Sequence, residues 1–295
     1  MVNKVSVLRP KRGTAPRSAI VYGCFGFVII SDVEPFTFVV LRFILAIIFF
    51  VIIFNKKIKI NRLVIILGFI LGFFYTLGFQ LQVVGLKYTT ASKSAFITGL
   101  AVIFTPIFQM AVERKLLNIW QVIGVIFSGL GLYVLTNPSN EALNYGDILT
   151  FFSSMSFAVY IVFIGRFALK ADVNGLVLIQ FLTMLLLTLP FAFTYGNLNF
   201  VINTKFILIM LYVSLLATVV CTYLHTKYQR ETTATRAAII FTFEPVFAVL
   251  IASIFYNEVI TKSLTIGGTL IISGLLFSEL SEFLMNLILR KKSNE

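Results

Sequence analysis

Two ionisable residues, Arg42 and Glu244, lie well inside the long apolar runs of this 295-residue chain. An ionisable side chain near the centre of a bilayer costs about 2.5 kcal/mol or more, so it usually pairs with another group or has a function. Counted along their helices, both residues fall at a similar depth in the outer half of a membrane core. We expect them to pair, or Glu244 to face a cavity where it binds a cation or a proton.

Each of these residues also has a plainer interpretation. Arg42 could extend its long side chain to the lipid headgroups or to helix ends. Glu244 could hydrogen-bond the backbone groups that Pro245 leaves without a partner. Pro106 and Pro245 each remove a backbone hydrogen bond and bend a helix. Such breaks either expose carbonyl groups to a cavity or serve only the packing of the helices.

Uncharged polar side chains at six further positions are candidates for lining the same cavity. Gln80 is the strongest of them, because it lies too deep to reach water except through a cavity. For the other five, a hydrogen bond between helices is an equal alternative. The six residues are Tyr75, Gln80, Thr98, Ser156, Tyr160 and Tyr223.

Sequence motifs for catalysis are absent. The chain contains no HExxH, GxSxG or Walker A motif and no Cys/His cluster. We therefore predict no catalytic residue, no metal site, no cofactor and no direct use of ATP. Two other classes of protein stay open: a membrane-embedded enzyme acting on lipid, and a channel or sensor without turnover.

The composition predicts a polytopic membrane protein built as one compact unit. Hydrophobic residues make up 59% of the chain and charged residues 12%, whereas a soluble domain has about 25% charged residues. The net charge is +12. The basic residues lie between the apolar runs and not on one face of a domain, so this charge does not indicate a nucleic-acid partner.

The apolar runs predict ten transmembrane helices, most of them near the roughly 20 residues that cross a bilayer. With both termini cytoplasmic, 19 of the 24 Lys and Arg residues fall on the inner side and 4 on the outer side. This bias follows the positive-inside rule and supports a topology with ten spans and both termini in the cytoplasm. The predicted spans lie near 18–31, 35–54, 63–86, 91–112, 116–136, 145–165, 174–195, 205–224, 233–256 and 263–282.

The first predicted span is short, with fourteen residues between Arg17 and Asp32. At about 1.5 Å per residue it does not reach across a core of about 30 Å. Either the helix begins nearer Val5 despite its arginines, or a short span thins the bilayer locally, or the true start of the protein differs from this one. The preceding segment has neither the long apolar core nor the cleavage site of a signal peptide.

Two segments 143 positions apart carry nearly the same sequence. TTASKSA begins at Thr89 and TTATRAA at Thr232, and each leads to a proline step and then to two glycines seven apart. Five spans are an odd number, so two such units insert in opposite orientations. We therefore predict an all-α membrane protein of about ten helices, built as a 5+5 inverted-topology repeat with a substrate site between the halves. The predicted units are a basic cytoplasmic N-terminus at 1–17, repeats at 18–136 and 145–282, and a basic cytoplasmic tail at 283–295.

The order and spacing of these features resemble the drug/metabolite transporter superfamily, in its ten-helix EamA-type branch. The matching patterns are Pro35-Phe36-Thr37-Phe38 with Leu41-Arg42-Phe43, Thr89-Thr90-Ala91-Ser92, Gly146-Asp147, and Arg236-Ala237-Ala238 followed by Glu244-Pro245-Val246-Phe247-Ala248. The resemblance covers nearly the whole chain after the first twenty or so residues. It implies a single polypeptide that exports small metabolites or drug-like solutes across the cytoplasmic membrane, from a central cavity lined by helices of both halves.

The partners expected from this resemblance are a small-molecule substrate and the lipid bilayer. Amino acids, purines and hydrophobic amines all suit a cavity with one acid, one arginine, amides and aromatic rings. The sequence leaves both a monomer and a homodimer open.

The predicted topology can be tested at the connection between the two repeats. We expect a fusion near residue 140 to place a reporter enzyme on the outer side of the membrane, because five spans precede that position. A fusion after residue 57 is the matched cytoplasmic control. A cytoplasmic signal at residue 140 would contradict the inverted repeat.

Overall fold

The computed structural model describes residues 34–89, 91–114, 116–136, 143–195, 203–244, 246–247 and 262–293. All regular secondary structure in this part of the chain is helical. The predicted span at 18–31, the N-terminal segment 1–17 and Pro245 lie outside the described residues.

Eleven α-helices follow one another within the described ranges. Short 3₁₀ turns at Asn55–Lys57 and Gln229–Glu231 and a π-helical segment at Leu215–Val220 connect some of them. The helices are α1 (Pro35–Phe54), α2 (Arg62–Gly85), α3 (Ala91–Gly99), α4 (Ala101–Glu113), α5 (Ile119–Thr136), α6 (Tyr145–Phe167), α7 (Val173–Tyr195), α8 (Thr204–Ser214), α9 (Cys221–Tyr228), α10 (Ala234–Phe241) and α11 (Lys262–Ser293).

Among the described residues, six helical stretches are long and apolar enough to cross a membrane. Two shorter apolar stretches, Ile119–Leu135 and Thr265–Ser278, lie within α5 and α11. The prediction of an all-helical, multi-pass membrane protein is therefore confirmed. The six longer stretches are Pro35–Lys57, Arg62–Gly85, Lys93–Glu113, Tyr145–Phe167, Val173–Tyr195 and Phe206–Glu231.

Polar side chains fix where several of these helices begin. Asn61, Asn144 and Asn203 each accept a hydrogen bond at the side-chain oxygen from the backbone N–H three residues further on. The Glu34 carboxylate accepts from two backbone N–H groups in the first turn of α1. The first N–H groups of a helix have no partner within the helix, so these caps stabilise the chosen start.

The predicted span at 91–112 is divided into α3 and α4 at Leu100. The N–H of Leu100 is shared between the carbonyls of Phe96 and Ile97, at 3.2 and 3.1 Å, a pattern that tightens the turn. Pro106 lies inside α4, six residues beyond this irregularity. The chain therefore changes helix geometry before the proline and not at it.

The last helix is longer than predicted. The sequence placed the end of the tenth span at 282, whereas α11 continues to Ser293. Most of the predicted tail at 283–295 is thus helical. Residues 290–292 lie in the final turns of α11.

Repeat-related helices contact one another in antiparallel pairs, as an inverted repeat requires. In the pair formed by α5 and α11, Gly124 lies against Gly274 and Gly131 lies against Gly267. The residue numbers rise along one helix as they fall along the other. These are the four glycines that the sequence placed 143 positions apart, so their common role is close helix packing.

The pair formed by α1 and α7 has the same antiparallel arrangement and carries part of the apolar core. Phe36 near the start of α1 stacks on Phe191 near the end of α7, with ring centroids 5.6 Å apart. Phe50 near the end of α1 meets Phe181 edge-on at 5.8 Å. Aromatic pairs of this kind contribute about 0.5–1.5 kcal/mol each beyond the area they bury.

The α5–α11 crossing generates a stability prediction. A Cβ atom added at Gly131 would lie 2.7 Å from the backbone oxygen of Gly267, whereas one added at Gly129 meets nothing closer than Ile103 Cδ1 at 3.5 Å. We expect Gly131→Ala to lower the free energy of unfolding by about 1–3 kcal/mol, because two backbones must separate. Gly129→Ala is the control and should be neutral or slightly stabilising. Equal thermal unfolding midpoints for the two variants in lipid nanodiscs would refute this packing.

Candidate functional site

The guanidinium of Arg42 lies in the interior of the helix bundle, with 1% of the residue exposed. Its Nε donates a hydrogen bond to Thr218 Oγ1 at 2.5 Å, and its Nη2 donates to the carbonyl of Ala217 at 3.5 Å. Arg42 belongs to α1 in the first predicted repeat, and both acceptors belong to the second. The interpretation in which Arg42 extends to the lipid headgroups is therefore wrong.

The acceptors of Arg42 come from an irregular part of the backbone. Thr218 and Ala217 lie in the π-helical segment between α8 and α9. The Thr218 hydroxyl donates to the carbonyl of Val213, five residues back, at 2.8 Å. Single π-helical turns occur frequently at functional sites. No signal used in the sequence analysis predicted this segment, because it depends on contacts that α1 brings from elsewhere in the chain.

A column of aromatic rings leads away from Arg42 along the bundle. The guanidinium lies 5.6 Å from the ring centroid of Phe79, a distance at which a cation is attracted to the ring face. Phe79 meets Tyr75 edge-on at 5.1 Å, and Tyr75 stacks on Tyr160 at 4.9 Å. Two of the predicted cavity residues, Tyr75 and Tyr160, are thus neighbours and connect α2 with α6.

The column ends in a cluster of amide and aromatic side chains. Tyr160 donates its hydroxyl hydrogen to Gln180 Oε1 at 3.0 Å, and its ring lies edge-on to His225 at 5.8 Å. His225 Nε2 lies 3.0 Å from Gln229 Oε1, and Phe241 of α10 packs against the His225 ring at 4.9 Å. Neither Gln180 nor Gln229 was predicted from the sequence, because the local sequence around a glutamine does not show which groups contact its amide.

A buried ion pair joins the two repeats at the end of the bundle that the charge pattern predicts to face outside. Lys93 Nζ of α3 lies 2.6 Å from Asp147 Oδ2 of α6, and their side chains are 7% and 2% exposed. Thr89 donates its hydroxyl to the other carboxylate oxygen at 2.6 Å. The Asn144 N–H donates to the same carboxylate at 2.9 Å, which completes a capping box at the start of α6.

Both residues of this ion pair carried other meanings in the sequence. Asp147 belongs to the Gly146-Asp147 pattern of the family resemblance, and Lys93 is one of the four basic residues predicted on the outer side. An Asn followed three residues later by an acid marks a capping box, so the position of Asp147 at a helix start was predictable. Its partner in another helix was not.

The start of α10 is held by α4 at the opposite, predicted inner end. Gln109 Oε1 accepts hydrogen bonds from the backbone N–H and the hydroxyl of Thr235, at 2.9 and 2.7 Å. Gln109 Nε2 donates to Glu113 at 3.0 Å. Arg236, which lies 143 positions after Lys93, is also buried here. Repeat-related helix starts therefore make their contacts at opposite ends of the bundle.

Gln80 and Thr98 take part in hydrogen bonds between helices. Gln80 Nε2 in α2 donates to the carbonyl of Leu187 in α7 at 3.1 Å. Gln82 Nε2 in α2 donates to Thr98 Oγ1 in α3 at 3.1 Å. The contact of Thr98 is the hydrogen bond between helices that the sequence left open as an alternative. Gln80 also has a partner in a neighbouring helix, and its contact requires no cavity.

The remaining candidates have local contacts. Ser156 donates to the carbonyl of Phe152, four residues back in α6, and Tyr223 packs on Phe54 with centroids 4.6 Å apart. Glu244 is half-buried, and its pairing with Arg42 stays a prediction. In the described part of the chain, no group of three or more His, Cys, Asp or Glu side chains is placed to hold a metal ion.

An all-helical membrane bundle of antiparallel repeat-related helices, with buried charges between its halves, fits a membrane transporter built as an inverted repeat. A family model described as the EamA-like transporter family matches residues 18–137 and again 144–280. The chain therefore belongs to the EamA-like transporter family. The double match also confirms that one unit occurs twice in the chain.

Individual relatives and a solved structure agree with this assignment. An uncharacterized transporter of Archaeoglobus fulgidus is 32% identical over 251 residues, which cover 85% of this chain and 79% of that protein. A second one from the same organism is 25% identical and covers 68% of this chain and 70% of its own length. The uncharacterized transporter YyaM of Bacillus subtilis is 33% identical over 41% of this chain and 43% of its own. A solved crystal structure shares the fold, with a TM-score of 0.72 at 15% identity over 85% of this chain and 89% of that one.

The ion pair between α3 and α6 generates a second stability prediction. We expect Lys93→Met to lower the free energy of unfolding by about 3–5 kcal/mol, because it leaves the Asp147 carboxylate buried without a cation. Lys87→Met is the control, since Lys87 pairs with Glu34 at 3.7 Å and its side chain is 46% exposed. Removing an exposed pair costs about 1 kcal/mol or less. Similar denaturation midpoints for the two variants would show that the buried pair is not a structural tie.

Proposed function

We propose that this protein is a secondary transporter that exports small metabolites or drug-like solutes across the cytoplasmic membrane by alternating access. Both termini lie in the cytoplasm in this proposal, as the distribution of basic residues favours. The substrate is a small molecule, the surrounding partner is the lipid bilayer, and the chain acts as a monomer or a homodimer.

The contact between Arg42 and the π-helical segment is the observation that carries this proposal. A buried guanidinium bonded across the boundary between two oppositely oriented repeats lies where inverted-repeat carriers bind their substrates. Thr218 and Ala217 offer neutral oxygen atoms to the cation. An anionic or acceptor group on a substrate can compete with those oxygens for the guanidinium, because hydrogen bonds between charged partners are stronger than those to neutral ones.

The Lys93–Asp147 pair supplies the second requirement of alternating access, a contact that closes one side. It joins α3 of the first repeat to α6 of the second at the predicted outer end. Movement of one repeat against the other opens that end only if this pair separates. When it opens, water replaces the lost contacts of both charges, so the cost of separation is far smaller than in hydrocarbon.

The sequence bears on the energy source through the absence of a nucleotide-binding loop. In this proposal, gradients of substrate or of a coupled ion drive the export, or the transport is passive. The competing classes, a lipid-modifying enzyme and a channel or sensor, differ from a carrier in what they do to a solute: an enzyme changes it chemically, and a channel passes it without saturation.

Transport can be tested in two steps with the complete chain. Untargeted mass spectrometry of the medium should show at least one solute enriched around cells that overproduce the protein, compared with cells that lack it. The enriched solute, isotope-labelled, should then show saturable counterflow in proteoliposomes. Non-saturating flux would identify a channel instead, a chemically altered solute would identify an enzyme, and the absence of any flux would overturn the proposal.

Arg42 should be essential for that counterflow. Arg42→Gln removes charge-assisted hydrogen bonds that contribute about 1.5–3 kcal/mol, so we expect counterflow to fall by about tenfold or more. Arg42→Lys keeps the charge but loses the planar donor set and should also be impaired. Arg62→Gln is the matched control, because Arg62 is exposed at the start of α2. Equal rates for Arg42→Gln and Arg62→Gln would exclude Arg42 from the transport site.

A further inference from the structure

Two buried amide groups at the end of the aromatic column have donors that nothing in the described part of the chain accepts. Gln180 is 0% exposed and Gln229 is 2% exposed. In both, the side-chain oxygen is engaged, by the Tyr160 hydroxyl and by His225 respectively. In both, Nε2 has no hydrogen-bond partner among the residues that the structure describes. A buried donor without a partner is energetically unfavourable, so two in one cluster call for an occupant.

Gln180 and Tyr160 lie at the same level of the membrane, and Gln229 lies nearer the predicted cytoplasmic end. Gln180 comes seven residues after the start of α7, and Tyr160 comes seven residues before the end of α6. At about 1.5 Å per residue, both lie about 10 Å from the predicted inner ends of their helices. Gln229 follows α9 at that inner end, and its side chain lies over Gly165, whose position would admit a Cβ with 3.6 Å of clearance.

The chemistry of this cluster selects between the substrate classes that the sequence left open. An amide nitrogen is only a donor, so it bonds to carbonyl, carboxylate or ring-nitrogen acceptors and not to a protonated amine. Tyr160, His225 and Phe241 pack edge-on in series beside these amides, and a flat aromatic solute can stack on such rings or meet them edge-on. A planar solute with acceptors on its edge satisfies both features at once, whereas a cationic amine satisfies neither donor.

We propose that Gln180 and Gln229 form a recognition subsite, near the cytoplasmic end, for a planar substrate that carries hydrogen-bond acceptors. The inference rests on the proposed export function and gives it a substrate class: purine-like bases or aromatic carboxylates, not hydrophobic amines. The subsite lies on the side from which an exporter receives its substrate, so it selects the solute before the repeats move.

The test compares three small molecules of similar size on the purified full chain in lipid nanodiscs. Adenine offers ring-nitrogen acceptors, benzoate offers a carboxylate, and phenethylamine offers only an ammonium group. A ligand that binds the folded state and not the unfolded state stabilises it by RT ln(1 + c/Kd), where c is the free ligand concentration, so the thermal unfolding midpoint rises with ligand concentration and gives the affinity. We expect adenine or benzoate to raise the midpoint in this concentration-dependent manner and phenethylamine to leave it unchanged.

Matched variants connect that binding to the two amides. Gln180→Met and Gln229→Met keep the side-chain length but remove the donors, so each should weaken the apparent affinity about five- to tenfold. Without ligand these variants should unfold near the wild-type midpoint, because each loses an unpaired buried donor and, at the same time, the amide oxygen that contacts Tyr160 or His225. This second measurement separates lost recognition from lost folding. Gln82→Met, at a glutamine whose amide already bonds to Thr98, is the control and should bind normally.

Several results would overturn the subsite. Stabilisation by phenethylamine equal to that by the other two molecules would remove the acceptor preference, and so would the failure of both adenine and benzoate to stabilise the protein. Unchanged affinity in both methionine variants would mean that the amides bind only internal water. Counterflow of the exported solute distinguishes failure of the subsite from failure of the transporter proposal. If counterflow persists while the amide variants behave as wild type, the subsite is wrong and the transporter proposal stands.

Discussion

Hydrocarbon offers no hydrogen-bond partners, and this constraint governs where the polar groups of the chain lie. Every charge taken into the membrane core has to be satisfied by the protein itself. Arg42 finds its acceptors on the far side of the repeat boundary, and Asp147 finds its cation there as well. The contacts of both buried charges therefore connect the two repeats. They stabilise the assembly and, in the proposed alternating access, lie where the halves separate.

The inverted repeat places equivalent residues in opposite surroundings. Lys93 and Arg236 occupy the same position in their repeats, yet Lys93 lies at the predicted outer end beside Asp147, and Arg236 lies at the inner end near α4. The helix start before Arg236 is held by the neutral amide of Gln109. The predicted outer end is thus joined by a charge pair, and the predicted inner end includes an amide contact. A duplicated sequence gives related backbones, and the side chains then give each end its own chemistry.

Helix packing leaves the polar groups little freedom to find other partners. Where Gly131 meets Gly267, no room remains for even a methyl group between the backbones. Close backbones of this kind hold α5 and α11 as one rigid pair, while α1 and α7 are joined by aromatic contacts. The π-helical segment is the main departure from regular geometry among the described spans, and it lies beside the one arginine buried in α1.

The sequence was sufficient for the class of protein, since apolar length, the bias of basic residues and a repeat at a fixed offset are local or additive properties. It also identified Arg42 as exceptional, because one charge in a long apolar run is visible without any structure. It did not indicate Thr218 as an acceptor for Arg42. Thr218 lies 176 positions away in a segment whose irregular backbone no residue pattern announced.

Only the tertiary structure shows that Asp147, Gln180 and Gln229 are buried beside particular polar partners. A capping acid, or an amide within an apolar helix, has the same local appearance whether it contacts lipid, a neighbouring helix or a substrate. Its role depends on which groups the fold brings within about 3 Å, and hydrogen bonds are too short-ranged for sequence spacing across separate helices to define them. The sequence determined that this chain crosses the membrane as two opposed units. The contacts between those units determined which polar side chains are buried together, and these are the side chains that we propose to recognise a solute.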